Sequence, residues 1–168
     1  VDAHLYAANG AGNPGRLDRN ENKAVGARLN AGRGALSTGI SLYAERDNNG
    51  VDRRAAGAHF MANLSSFRFQ AEYQYRDNDP ETAAGFIDRG FYGQVMYDIG
   101  AWTIAARYDW YDPNSGAKDA DMFRYTGALN YHFAENVVAK AEYNRNELES
   151  GEDYNEAIFS IVVAIGDL

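Results

Sequence analysis

The sequence predicts an all-β protein, an antiparallel up-and-down transmembrane β-barrel with about ten strands in this chain. Three observations carry that expectation. Segment after segment alternates apolar with polar residues, at the period of two that only a strand converts into two faces. The connections alternate between tight turns and longer polar loops. The polar faces are densely charged, while the apolar faces gather aromatic residues toward the strand ends, as a membrane interface favours.

The elements follow in order. Val1 to Asn9 sets Val1, Ala3, Leu5 and Ala7 against Asp2, His4 and Tyr6. Ala24 to Ala31 sets Val25, Ala27 and Leu29 against Arg28 and Asn30, and Leu36 to Arg46 offers Leu36, Ile40 and Leu42. Ala55 to Leu64 places Ala56, Ala58, Phe60, Ala62 and Leu64 on one side. The clearest stretch is Ser66 to Asp77. There Phe67, Phe69, Ala71, Tyr73 and Tyr75 alternate without a break with Arg68, Gln70, Glu72, Gln74 and Arg76. Arg89 to Gly100 sets Phe91, Val95, Tyr97 and Ile99 against Tyr92, Gln94 and Asp98. Ala101 to Tyr111 opposes Trp102, Ile104, Ala106, Tyr108 and Trp110 to Thr103, Ala105, Arg107 and Asp109. Met122 to Phe133 and Val137 to Asn146 repeat the pattern, and Ala157 to Gly166 closes it with Phe159, Ile161, Val163 and Ile165. Most of these runs are close to the length of about 9–11 residues that crosses a bilayer when tilted.

Tight connections are expected at 32–34, 63–66, 99–101 and 134–136. Long polar loops are expected at 10–22, 47–52, 78–88, 112–120 and 147–155. An outer-membrane barrel has this rhythm, with short periplasmic turns and long external loops.

Composition removes several alternatives. The chain has 168 residues, a length suited to one domain, read here as a single barrel segment over 1–168. Its formal net charge of −8 leaves no cation excess for nucleic acid, and the absence of cysteine excludes disulfides and thiolate chemistry. No apolar run reaches the roughly 20 residues of a membrane helix. The chain begins with Val1, which reads as a processed chain or a fragment.

Each face then has an expected role. Arg28, Glu45, Arg68, Glu72, Arg76, Asp98, Arg107, Asp109, Arg124, Lys140 and Glu142 are expected to line a pore. Charged rings of that kind set ion preference. Tyr73, Tyr75, Tyr108, Trp110 and Tyr143 fall late in upward strands, and Tyr97, Trp102, Tyr131 and Phe133 fall near tight turns. Together they are expected to form two lipid-facing aromatic girdles. An open edge cannot face lipid, so the sheet must close or pair with strands from another chain.

The last two-thirds resembles the C-terminal part of a Gram-negative porin, most like the phosphate-selective porin O/P family. The residues that carry the likeness are Asp98 to Asn114, Tyr125 to Glu147 and the closing Asn155 to Leu168. The resemblance implies a bacterial outer-membrane location and a water-filled trimeric channel passing small hydrophilic solutes or anions without cofactor or metal. It also implies an arginine-rich lumen, to which Arg68, Arg107 and Arg124 would contribute. The chain is short for a whole porin and ends in Leu168 rather than an aromatic, so three readings stay open: a C-terminal segment of a larger porin, one part of a split barrel, and a complete small barrel.

Two other functions compete with a passive channel. One is a non-porous structural or scaffold barrel. The other is an outer-membrane protease of the omptin type, for which Asp2 and His4 would supply one catalytic pair. The Gly10–Gly15 stretch fits G-x-G-x-x-G, yet a polar segment follows it where a dinucleotide fold needs a helix. His59 and His132 read as polar wall residues. The acidic stretch 146–155 lacks the spacing of a calcium loop.

Overall fold

The computed structural model describes residues 1–9, 23–47, 49–118 and 120–164. They form a single antiparallel sheet of ten strands in sequence order. The strands are β1 (Asp2–Asn9), β2 (Lys23–Arg33), β3 (Leu36–Arg46), β4 (Val51–Leu64) and β5 (Phe67–Pro80). They continue as β6 (Phe86–Ile99), β7 (Trp102–Asp112), β8 (Met122–Ala134), β9 (Val137–Leu148) and β10 (Tyr154–Val163). No helix among the described residues is long and apolar enough to cross a membrane, a finding that does not bear on strands.

The tight connections are all two-residue turns, at 34–35, 65–66, 100–101 and 135–136. Such a turn pins register, and the pairs Leu64↔Phe67 and Ile99↔Trp102 each open a regular ladder. The first turn position is left-handed at Gly34 (φ 59°), Ser65 (φ 55°) and Gly100 (φ 57°). A Cβ at Gly34 or Gly100 meets nothing, so only backbone conformation sets its cost. Ser65→Gly should therefore raise stability by about 1 kcal/mol, and Gly100→Ala should lower it by about 1 kcal/mol. Urea unfolding of the lipid-reconstituted protein reads both.

Several strands run past the expected limits. β4, β5 and β6 each have 14 residues, and the β5–β6 connection shrinks to 81–85. The stretch Asn78 to Pro80, expected to open a loop, is strand and pairs with 51–53 and, at Asn78, with Phe86. The loop expected at 10–22, with its glycine motif, lies outside the described residues.

Burial is inverted relative to a water-soluble fold. The buried apolar residues are Ala24 and Ala62 alone among those described, whereas Glu45, Asp47, Asn78, Asp88, Thr103, Asp112, Asn144 and Asn146 are buried. Large apolar side chains lie open instead: Leu5, Ile40, Leu42, Ile104, Leu129, Phe159 and Ile161 are all exposed. In water that surface would exceed any ordinary exposed patch. In acyl chains it costs nothing, and most of the side-chain hydrogen bonding lies on the polar face.

β1 and β10 are the two edges. Among the described residues neither pairs with the other, and every described position of β10 is exposed. Half of their backbone groups therefore point out of the sheet, an arrangement that hydrocarbon does not tolerate.

Candidate functional site

The candidate site is the polar face. Antiparallel register links its residues strand to strand, so face membership follows from pairing rather than from parity alone. One row runs His59↔Glu72↔Tyr92↔Asp109↔Arg124↔Asn146. Another joins Gln70, Gln94, Arg107, Thr126 and Asn144. Arg28, Glu45, Arg68, Glu72, Arg76, Asp98, Arg107, Asp109, Arg124, Lys140 and Glu142 all stand on this face.

The charges are bonded to one another. Arg76 Nε donates to Asp88 (2.8 Å), which also accepts from Asn78 Nδ2 (2.9 Å). Arg68 reaches Asp98 (2.9 Å), and Thr103 donates to the same carboxylate (2.5 Å). Arg107 binds its strand neighbour Asp109 and lies 4.0 Å over the Tyr92 ring. Arg124 donates to Asn146 (2.7 Å), and Thr126 to Asn144 (2.6 Å). At the upper end of β3 and β4, Arg53 bridges Glu45 (3.1 Å) and Asp47 (2.8 Å). Burial alone would raise the Asp47 carboxyl. The amides of Val51 and Asn49 and the Arg53 guanidinium overcome that and hold it below the ordinary carboxylate range.

Arg53 and Asp88 were missed at the sequence level because both fall where alternation fades toward a loop. Asp2 and Glu156 also share the polar face.

The opposite face carries Tyr73, Tyr75, Tyr97, Trp102, Tyr108, Trp110, Tyr131 and Tyr143. Phe133 sits in a register shift between His132 and Ala134 and is 64 % exposed. The rings cluster near the two strand ends. Phe67 meets Tyr97 at 4.7 Å and Trp102 meets Tyr131 at 4.5 Å by the tight turns. Tyr108 meets Tyr125, absent from the expected set, at 5.4 Å toward the long loops. There Trp110 Nε1 donates to Asp121 (2.9 Å), giving the indole one wet end.

Just above that belt the same face turns ionic. Arg89 pairs with Asp112 (3.0 Å) and lies 5.4 Å over Trp110. Arg145 pairs with Glu147 (2.8 Å), and Arg46 with Asp52 and Glu81.

The remaining candidates resolve simply. His4 lies 2.9 Å from Asp2, and the residues opposite them are Arg28 and Asn30 rather than a second acidic pair. In the acidic stretch, Asp153 accepts from the Leu148 amide and Glu149 from the Asp121 amide. No group of three or more metal-binding side chains gathers among the described residues.

A family model described as Gram-negative porin matches residues 3–151. No curated protein matches the chain.

Proposed function

The chain belongs to the Gram-negative porin family, and from that premise we propose that it forms part of the wall of a passive diffusion channel for small hydrophilic solutes. The family places it in the bacterial outer membrane. The observation that carries the reading is the inverted sheet, with ionic residues bonded together on one face and bare apolar side chains on the other. Passage through such a wall requires no catalytic step. A plugged or purely structural barrel would present the same outer face. The continuous charged inner face favours the channel.

The polar face mixes signs. Arg28, Arg53, Arg68, Arg76, Arg107, Arg124 and Lys140 stand among Asp2, Glu45, Glu72, Asp88, Asp98, Asp109, Glu142 and Glu156. The ion pairs of Arg68 and Arg107 neutralise two arginines that would otherwise attract anions. Kinship with phosphate-selective porins rests on the strand and turn patterns of 98–114 and 125–147, and the intermixed acids argue for weak selectivity in this wall.

Further strands complete the wall at β1 and β10, from beyond these residues or from another chain. A homotrimer is the assembly proposed. The outward positions of β1 to β4 support contact with protein there: they include Phe60 but no Tyr or Trp among the described residues. Small residues such as Ala27, Ala56 and Ala58 let another surface approach closely.

The purified outer-membrane protein should pass steady current across a planar bilayer, with a reversal potential near zero in a salt gradient. Asp109→Asn releases Arg107 and should move that potential toward anions. No current at all overturns the channel, and an unmoved potential removes Arg107 and Asp109 from the conduction path.

A further inference from the structure

We propose that the polar face holds a binding subsite for a neutral linear oligosaccharide, an inference that rests on the channel reading above and names a solute for it. The register row Ser41↔Gly57↔Gln74↔Gly90↔Tyr111 contains two glycines and a serine, so it lies lower than the rows on either side. The row above runs Tyr43↔Ala55↔Arg76↔Asp88, and the row below runs His59↔Glu72↔Tyr92↔Asp109. Between them lies a cavity of about 540 Å³, lined by residues of all three rows. That size falls within the usual range for small-ligand sites. From β3 to β7 the trough crosses four strand spacings, about 19 Å at the usual separation. An extended solute fits that shape better than a compact one.

The chemistry of the walls selects the class. Tyrosines stand at both ends, Tyr43 on β3 and, opposite, Tyr92 on β6 and Tyr111 on β7, and Tyr111 is exposed. Their faces suit the C–H faces of sugar rings. Between the tyrosines, the ionic groups are already occupied with one another. Arg76 holds Asp88, Arg107 holds Asp109, and Gln74 donates to Glu72 (2.7 Å). A charged solute would have to break one of these charge-assisted bonds. Hydroxyl groups need only the remaining lone pairs of the carboxylates and the free N–H edges of the guanidiniums. Because the pairs fix these groups before binding, a neutral polyol meets a rigid pattern of donors and acceptors.

Single-channel recording with maltotriose as probe tests the subsite, and polyethylene glycol of matched size serves as control. The trisaccharide should reduce the current in a saturable way, whereas the polymer should reduce it without saturating. Tyr111→Ala should raise the half-blocking concentration about tenfold. Gly57→Leu, which fills the trough, should abolish the block. Equal, non-saturating effects of sugar and polymer overturn the subsite, as does a Tyr111→Ala protein that is blocked like the parent. Calorimetric titration of the detergent-solubilised protein separates the two claims. Sugar binding without current keeps the subsite and overturns the channel, whereas current without sugar binding overturns the subsite alone.

Discussion

Leu129→Arg is expected to destabilise the folded protein in a bilayer by roughly 2–4 kcal/mol, and Ala128→Arg, one residue away on β8, by less than about 1 kcal/mol. Leu129 is exposed on the apolar face, paired with Ile104 on β7 and Ala141 on β9. Tyr131 lies on one side of it along the strand and Tyr125 on the other, so it occupies the span between the two aromatic belts. A guanidinium there must be dehydrated or must drag water into the hydrocarbon, and neither belt is within easy reach of its side chain. Ala128 points to the polar face, where it pairs with Ala105 and, across β9, with Glu142. An arginine at that position meets an opposite charge directly across the ladder. The two variants add the same side chain to the same strand. Their difference therefore isolates what each face touches, and reversible urea unfolding into lipid vesicles measures it.

The second large effect is expected at the upper end of β3 and β4. Arg53→Ala should cost about 3 kcal/mol at neutral pH, because it leaves the buried Asp47 carboxylate without its guanidinium partner. The Glu45 and Asp47 side chains are 4 % and 6 % exposed, and Arg53 is the cation that touches both. Tyr43 also donates to Glu45 (2.8 Å), and the Asn49 and Val51 amides donate to Asp47. Those bonds remain in the variant, but hydrogen bonds from neutral amides do not cancel the charge of the Asp47 carboxylate. The pH dependence has a definite sign. The Asp47 carboxyl is held below its ordinary value in the folded protein. Its stabilising contribution is thus complete above an unfolded value of about 4 and disappears as pH falls through the lower folded value. The gap between parent and Arg53→Ala should narrow over that acid range. Hydrogen exchange of the β3 and β4 amides follows it, and a gap independent of pH would mean that Arg53 acts through its aliphatic stem.

Strand periodicity made the middle of each element legible. On the proposed channel reading, one face between the belts meets hydrocarbon and the other meets water, so residues such as Phe69 and Gln70 differ in kind. Beyond the belts both faces are wet and the constraint lapses. Arg89 points outward and Asp88 inward, both are charged, and alternation no longer separates them. For that reason 78–80 and 86–88 read as loop in the sequence and are strand in the fold.

Bonding partners were legible on one side of each strand only. A two-residue turn fixes the ladder that follows it, so Arg68 opposite Asn63 follows from the turn at 65–66. The pair Arg76–Asp88 spans the loop 81–85, whose length does not set register, and no pattern in the sequence announces it. The trough needed both kinds of pairing, since Gly57 and Gly90 fall in one row only once the ladders across the turn at 65–66 and the loop at 81–85 are joined. The missing aromatic belt on β1 to β4 was present in the sequence as an absence. It gained meaning when register showed that Tyr6 and Tyr43 both lie on the polar face.

The most direct measurement of the central claim is paramagnetic accessibility along β8. The chain contains no cysteine, so single cysteines at 126 to 130 carry a spin label without background. In native outer-membrane vesicles, labels at 127 and 129 should collide mainly with oxygen dissolved in lipid. Labels at 126, 128 and 130 should collide mainly with a water-soluble nickel chelate. An accessibility ratio that does not alternate between neighbours would contradict a wall with acyl chains on one side and water on the other.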